Sequence, residues 1–381
     1  MDDSIFRSQF TIGILGGGQL GCMLIESAQP YNIPVSVMDA DGDAPASKMT
    51  NHFTEGSITD YDSVYRFGKS VDLVTIEIEN VNVDALQALK NEGVLVYPDP
   101  ETIRLVQDKG IQREFYKNHG FPTPDFMLTE NALDVARNID FLPAVHKTRK
   151  AGYDGRGVVK LKSRDDVNSA FDGPGVLEKL IDIDKEISVI TARSVSGEIA
   201  FYEPVELVFH DDHNMLDYLC SPAVLPENIK KEAVNLAMAV TESLEMVGLL
   251  AVELFLDRSG KLLINEIAPR PHNSGHQTIE GSYTSQYEQH LRAILDLPLG
   301  STESISPSVM INLLGEGGFE GDVTYEGIEE ALALKGAYVH LYGKKKTRPF
   351  RKMGHITVLA ESAEEALEHA RMLQKKVKVK S

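Results

Sequence analysis

The sequence predicts an α/β and α+β protein. It has an N-terminal parallel-sheet, Rossmann-like domain over residues 1–100, linker helices and a small central α+β unit over 101–205, and a C-terminal α+β domain over 206–381. Three observations carry this reading. Apolar runs alternate with helix-spaced segments through the first hundred residues, the order that parallel strands with right-handed crossovers require. Pro98-Asp99-Pro100 punctuates the chain where that alternation ends. Beyond it, apolar runs flank glycine-rich or polar turns at hairpin spacing.

Taken in order, Thr11–Leu15 is an apolar run ending in glycines, Gln19–Gln29 has helical spacing, and Ile33–Met38 and Leu73–Ile78 are further strands. Asp84–Glu92 reads as a helix and Val94–Tyr97 as a short strand. A linker helix at about Asp108–His119 is stopped by Gly120 and Pro122. Ala144–Thr148 and Val158–Leu161 are strands joined by a glycine-rich loop. Arg164–Phe171 is a predicted helix, and Val176–Lys179 and Glu186–Arg193 are predicted strands, so that 123–205 reads as one small unit. A long helix over Glu227–Val247 precedes a hairpin, Leu249–Leu256 and Lys261–Ile267. Val309–Leu314, Ala337–Tyr342 and Met353–Leu359 are strands, and the basic tail after Ala370 reads as a fraying helix end.

The chain has 381 residues, 42% of them hydrophobic and 25% charged, which fits two or three globular domains. A net charge of −19 repels phosphate backbones and argues against a nucleic-acid partner. No apolar run approaches the roughly 20 residues of a membrane span. The acidic start Met1-Asp2-Asp3-Ser4 is unlike a signal peptide, and the two distant cysteines, Cys22 and Cys220, suggest a reducing, cytoplasmic setting.

Five motifs carry chemistry. Gly16-Gly17-Gly18-Gln19-Leu20-Gly21 fits G-x-G-x-x-G between a strand and a helix, with Asp39 ending the second strand. Such a turn binds an anion at a helix N-terminus, and by itself it leaves a dinucleotide, another phosphate or a plain tight turn open. Lys147 through Gly157 places a lysine before a loop whose successive amides can hold phosphate. It is not a Walker A loop, and a solvated hairpin is its bland alternative.

Glu253 and Asn265-Glu266 lie inside apolar hairpin strands, where a carboxylate needs a cation or a polar partner. A hairpin symmetric about Arg258–Ser259 puts Glu253 opposite Ile264 and Glu266 diagonally on the same face. That is a hard-oxygen set for Mg²⁺, with an arginine partner as the alternative. Ala268-Pro269-Arg270-Pro271-His272-Asn273-Ser274-Gly275-His276 follows directly, with Arg270 suited to developing negative charge and His272 and His276 to binding or proton transfer. Last, Lys344, Lys345, Lys346, Arg348, Arg351 and Lys352 form a basic stretch that either holds a substrate phosphate or is a solvated loop.

In this order, Gly-Tyr-Asp-Gly-Arg-Gly, then Leu-Ile-Asn-Glu, then Ala-Pro-Arg-Pro-His-Asn-Ser-Gly-His resembles the ATP-grasp superfamily and, more narrowly, the N5-carboxyaminoimidazole ribonucleotide synthetases, from about residue 11 to 360. The resemblance implies an ATP-grasp fold and an ATP-dependent carboxylation of aminoimidazole ribonucleotide by bicarbonate through carboxyphosphate, with Mg²⁺. It implies that Lys109, Lys147 and the loop Gly152, Tyr153, Asp154, Gly155, Arg156, Gly157 contact ATP. Glu178 and Leu180 would border adenine, Glu186 would hold the ribose, and His210 would lie on the nucleotide side. Glu253 and Glu266 would bind the metal beside Asn265. Gln19 and Leu20 would cradle the substrate phosphate and Glu79 would reach its ribose. Arg270, His272, Asn273, Ser274, Arg351 and Lys352 would complete that pocket. Arg270, His272, Tyr153 and Asp154 would act in catalysis, in a homodimer. Formate-dependent glycinamide ribonucleotide transformylase and biotin carboxylase share the ATP site, a nicotinamide oxidoreductase would rest on the first loop and Asp39, and a silent nucleotide-binding regulator would lack turnover.

Overall fold

The computed structural model describes residues 10–150, 157–210 and 215–381. Among them, the N-terminal sheet is parallel, in the order His52–Glu55, Val35–Asp39, Ile12–Leu15, Leu73–Ile76, Leu95–Val96. The strand His52–Glu55 was not anticipated, because its half-exposed edge position gives it no apolar run. Helix Gln19–Ala28 packs Leu24, Ile25 and Ala28 on the sheet. Its other neighbour is helix Gln286–Ile294, whose Tyr287, Leu291 and Ile294 join the same apolar cluster. At roughly 1.5–3 kcal/mol per buried large side chain, these contacts weld the first domain to the last. Thr75 Oγ1 and His290 Nε2 add a buried hydrogen bond of 2.9 Å across the joint.

Two helices follow, Pro100–Gln107 and Lys109–Asn118, where one was expected. Asp108 separates them: it caps the amides of Gly110 and Ile111 and pairs with Arg149 at 2.8 and 2.9 Å. The lid is an antiparallel sheet in the order Phe126–Thr129, Gly175–Lys179, Ala144–Thr148, Val158–Leu161. Arg164–Ser169 is a 3₁₀ turn held by a Ser163–Asp166 capping box rather than an α-helix. The strand Ile183–Arg193, grouped with the lid from sequence, instead lies inside the large C-terminal sheet.

That sheet runs Leu262–Ala268, Gly248–Asp257, Ile183–Arg193, Val205–Phe209, Leu216–Ser221, Ser308–Leu314, Lys352–Leu359, Ala337–Leu341. Helix Glu227–Ser243 covers one face with Ile229, Ala233, Ala237 and Val240. The C-terminal tail does not fray. Helix Ala363–Lys376 ends on a strand, Lys378–Lys380, paired with Thr324–Glu326, and Val377 and Val379 are buried. Among the described residues no helix is long and apolar enough to cross a membrane.

Candidate active site

The site grows from one irregularity in the acid hairpin. The strands pair Leu254 with Ile264, then skip a residue and pair Glu253 with Glu266. The symmetric register, with Glu253 facing Ile264, is therefore corrected. A β-bulge at Asn265 puts the two acids directly opposite each other, because a bulged strand sets two residues against one. Ser188 pairs with Glu253 from the other side, and Glu186 lies two residues before it on the same strand face. Glu186, Ser188, Glu253 and Glu266 thus share one face.

Burial first, and then the charges of Glu266 and Glu186, raise the Glu253 carboxyl to about 8, against the opposing pull of Lys352 and a hydrogen bond from Asn265. Burial also raises Glu186 to about 7. A crowded acid face that resists ionisation suits a cation. Among the described residues no group of three or more acids, histidines or cysteines makes a complete metal cage, so Mg²⁺ held here would take its remaining ligands from phosphate and water, as that ion does. Filling the site should therefore release protons: at pH 7, Mg-ATP binding is expected to liberate close to one proton from Glu253. Calorimetry in buffers of different ionisation enthalpy checks this, and buffer-independent heats would contradict it.

The lysines converge on this face. Lys147 Nζ lies 2.9 Å from Glu178 Oε2 and donates to Asn265 Oδ1 at 3.2 Å, while Lys109 Nζ lies 3.7 Å from Glu266 Oε2. Glu178 is also bound by Arg113 Nε at 2.8 Å. Burial opposes ionisation of Glu178, yet Lys147 and Arg113 outweigh it and hold the carboxyl at about 2. The Glu178 side chain is thus turned to a buried ion network. Whatever borders a base at this strand end must use its backbone, or Leu180 in the connector to the large sheet, whose own amide donates to Pro143 O at 3.0 Å. Arg113 was missed from sequence. The signal was there: an acid in the apolar strand Val176-Leu177-Glu178 requires a cation. His210 lies exposed at the end of Val205–Phe209, its amide bonded to Met215 O at 3.0 Å. Gly152, Tyr153, Asp154, Gly155 and Arg156 lie outside the described residues. Gly157 is described, and its carbonyl accepts the Thr148 amide at 2.9 Å, joining the two strands that flank the loop.

The segment after the hairpin folds back over the acid face. His272 Nδ1 lies 2.8 Å from Ser274 Oγ, which lies 2.8 Å from Ser188 Oγ, and His272 Nε2 stands 3.6 Å from Glu253 Oε1. Gln286 clamps the His272 backbone, accepting its amide at 2.8 Å and donating to its carbonyl at 2.7 Å. Burial, aided by Arg270 and Lys352, holds His272 neutral, well below the usual imidazole range. Asn273 donates to Asn312 Oδ1 at 3.0 Å. His276, expected at the site, is turned into the core. It stacks on His355 with ring centres 4.6 Å apart, takes a 2.8 Å bond with Tyr287, and burial drives it down to about 3.

Arg270 joins this region to the first glycine loop. Its Nε lies 2.8 Å from Glu79 Oε1, and it is close enough to Glu77 and Glu266 to feel both charges. The loop itself departs from a dinucleotide site. Asp39, the expected ribose acid, accepts the Gly17 amide at 2.7 Å, and Glu77 accepts those of Gly18 and Gly21 at 2.7 and 2.8 Å. Those amides are engaged from within, which removes the main support for a nicotinamide site. The basic stretch lies alongside: Lys345 pairs with Asp43 at 2.5 Å, Lys344 donates to Lys352 O at 2.8 Å, and Arg351 donates to Lys346 O at 2.7 Å. Lys352 acts on the charges of Glu253 and His272, so this end of the stretch lies near the acid face.

A ribonucleotide synthetase preATP-grasp domain matches residues 9–107, an ATP-grasp domain 114–287, and a phosphoribosylaminoimidazole carboxylase C-terminal domain 308–369. The N5-carboxyaminoimidazole ribonucleotide synthase of Bacillus subtilis is 36% identical, over 96% of this chain and 95% of that one. The structure of N5-carboxyaminoimidazole ribonucleotide synthetase from Thermotoga maritima aligns with a TM-score of 0.91 at 42% identity, covering 98% and 99% of the two chains. That of the Aspergillus clavatus synthase in complex with ADP and 5-aminoimidazole ribonucleotide aligns with a TM-score of 0.87 at 34% identity, over 97% and 98%. The chain spans 64 to 65% of the length of three curated phosphoribosylaminoimidazole carboxylases that it also matches.

Proposed function

The chain belongs to the N5-carboxyaminoimidazole ribonucleotide synthetase family, and from that premise we propose that it carboxylates 5-aminoimidazole ribonucleotide with bicarbonate and ATP. The products are N5-carboxyaminoimidazole ribonucleotide, ADP and phosphate, within purine biosynthesis. One observation carries the reading: the bulge at Asn265 sets Glu253 opposite Glu266 beside Lys109 and Lys147, while Arg270 links that face to the first glycine loop.

A bicarbonate oxygen attacks the γ-phosphorus and ADP leaves, giving carboxyphosphate. Its carboxyl carbon is then taken by the exocyclic amine, which loses a proton as phosphate departs. Glu253 and Glu266, with Asn265, are the residues that would hold Mg²⁺, which supplies charge neutralisation at the nucleotide phosphates. Lys109 and Lys147 meet the same phosphates as fixed cations. Arg270, held by Glu79, faces the charge that develops on the carboxyl group. Neutral His272 donates without adding charge. Gln19 and Leu20 receive the substrate phosphate, with Lys352 and Arg351 nearby. Glu186 and Leu180 border the nucleoside, and the resemblance assigns Tyr153 and Asp154 to the transferring group. The same reading makes the enzyme a cytoplasmic homodimer.

The test is ADP release from Mg-ATP and bicarbonate, with and without aminoimidazole ribonucleotide. Strong stimulation is expected. ATP binding with no stimulation would refute the substrate and turn attention to glycinamide ribonucleotide with formate. Arg270→Ala should lower the stimulated rate by roughly 10²–10³-fold, the range seen on removing an oxyanion donor, and change ATP affinity little. An unchanged rate would remove its assigned role.

A further inference from the structure

The first glycine loop is filled by its own protein. Glu77 follows directly on the strand Leu73–Ile76 and is buried, with 9% of its surface exposed. Its two carboxylate oxygens accept the amides of Gly18 and Gly21. A Cβ at Gly16 would stand 2.4 Å from Glu77 Cγ, and one at Gly18 would stand 2.6 Å from its Oε1. Gly16 also needs glycine for its φ of +103°. Two glycines of the motif are therefore demanded by an internal carboxylate, not by the approach of a ligand. In a dinucleotide-binding turn the second glycine lets the backbone approach a pyrophosphate at the helix N-terminus, and the third serves helix–strand packing. Here a tethered carboxylate stands in the pyrophosphate's place, with Asp39 on the neighbouring Gly17 amide; burial pushes the Glu77 carboxyl up, while the Gly21 and Gly18 amides and then Arg270 favour its charge.

We propose that Glu77 is the positioning residue of the substrate-phosphate turn: it occupies the pyrophosphate position from within, holds the loop in its anion-binding shape, and leaves the Gln19 and Leu20 amides to a single phosphate. The inference deepens the function proposed above and rests on its assignment of that turn to the substrate. Two physical consequences follow. The turn is ordered before the substrate arrives, so binding does not bear the cost of ordering it. A dinucleotide is turned away, because its second phosphate would meet a carboxylate on amides already engaged.

Two variants test this in the full chain. Glu77→Ala empties the cradle, and Glu77→Gln keeps the volume but replaces one acceptor with a donor facing an amide N–H. Both should raise the KM for aminoimidazole ribonucleotide by roughly tenfold or more, the loss of about one charge-assisted hydrogen bond, while the KM for ATP moves far less. Acetate should lower the raised KM of Glu77→Ala and raise its Tm, as a ligand of the native state must, and should do neither for Glu77→Gln or the wild type. A merely structural role would shift both KM values together and be blind to acetate. An unchanged KM for aminoimidazole ribonucleotide, or an acetate-insensitive Glu77→Ala, overturns the inference. Wild-type ADP release indifferent to aminoimidazole ribonucleotide overturns the substrate reading instead, so the two failures are told apart.

Discussion

Glu266→Gln is expected to abolish ATP cleavage, by roughly 10³-fold or more, with the fold intact. The substitution removes a charge and almost no volume. Glu266 sits at a half-exposed position, with 49% of its side chain accessible, so its loss should cost little stability. Its functional cost is larger. Glu253, directly opposite, is held largely protonated by burial and by Glu266 itself. Removing Glu266 leaves one carboxyl and one or two amide oxygens, a poor hard-cation site. Charge stabilisation by a bound metal contributes several kcal/mol to a phosphoryl-transfer barrier, and about 1.36 kcal/mol corresponds to each tenfold in rate. Single-turnover ADP formation at saturating Mg²⁺ is the measurement, with metal-free ATP binding as the control. Turnover within about tenfold of the wild type would show that the metal is held elsewhere.

Glu178→Gln is expected to destabilise the protein by about 3–5 kcal/mol at pH 7, because it strands Arg113 and Lys147 as buried cations without a counter-charge. The effect has a definite pH dependence. The folded-state value of Glu178 is depressed to about 2 from an ordinary 4.5. A depressed carboxyl contributes stability that is fully present above the unfolded value and is lost as pH falls from about 4.5 toward 2. The gap between wild type and variant should thus be flat from pH 7 to 5 and narrow below about 4.5. Urea unfolding across that range decides it. A gap that stays constant to pH 3.5, or a variant as stable as the wild type, would mean the network carries no net charge energy. The KM for ATP should rise as well, since Glu178 holds Lys147 against Asn265.

Much of the site was legible because its residues break local rules. Glu253 and Glu266 are acids in apolar strands, and glycines cluster where backbone must approach an anion. Arg270 through Ser274 pack polar groups immediately after a strand. The parallel N-terminal sheet was legible for the same kind of reason, since its buried strands are continuous apolar runs. What misled was of one kind too. A G-x-G-x-x-G turn reports that an anion sits on the amides but not whose anion it is. Here it is Glu77, 56 residues from Gly21 along the chain. His276 looked like a site residue from its neighbours, yet its stack on His355 puts it in the core.

Most of the strands and helices, the separation of a parallel first domain from the antiparallel remainder, and the acids, lysines and Arg270 proposed for the site were readable from the sequence. These follow from periodicity and from the cost of burying charge, both local properties. The packed fold set the rest: the hairpin register, the place of Ile183–Arg193 in the large sheet, the Arg113–Glu178–Lys147 network and the carboxylate inside the glycine loop. Each of these is a pairing between segments distant in sequence or a single-residue slip. A one-residue slip reverses which side chains face which, and a distant pairing is selected by packing against the whole fold, which no local pattern encodes.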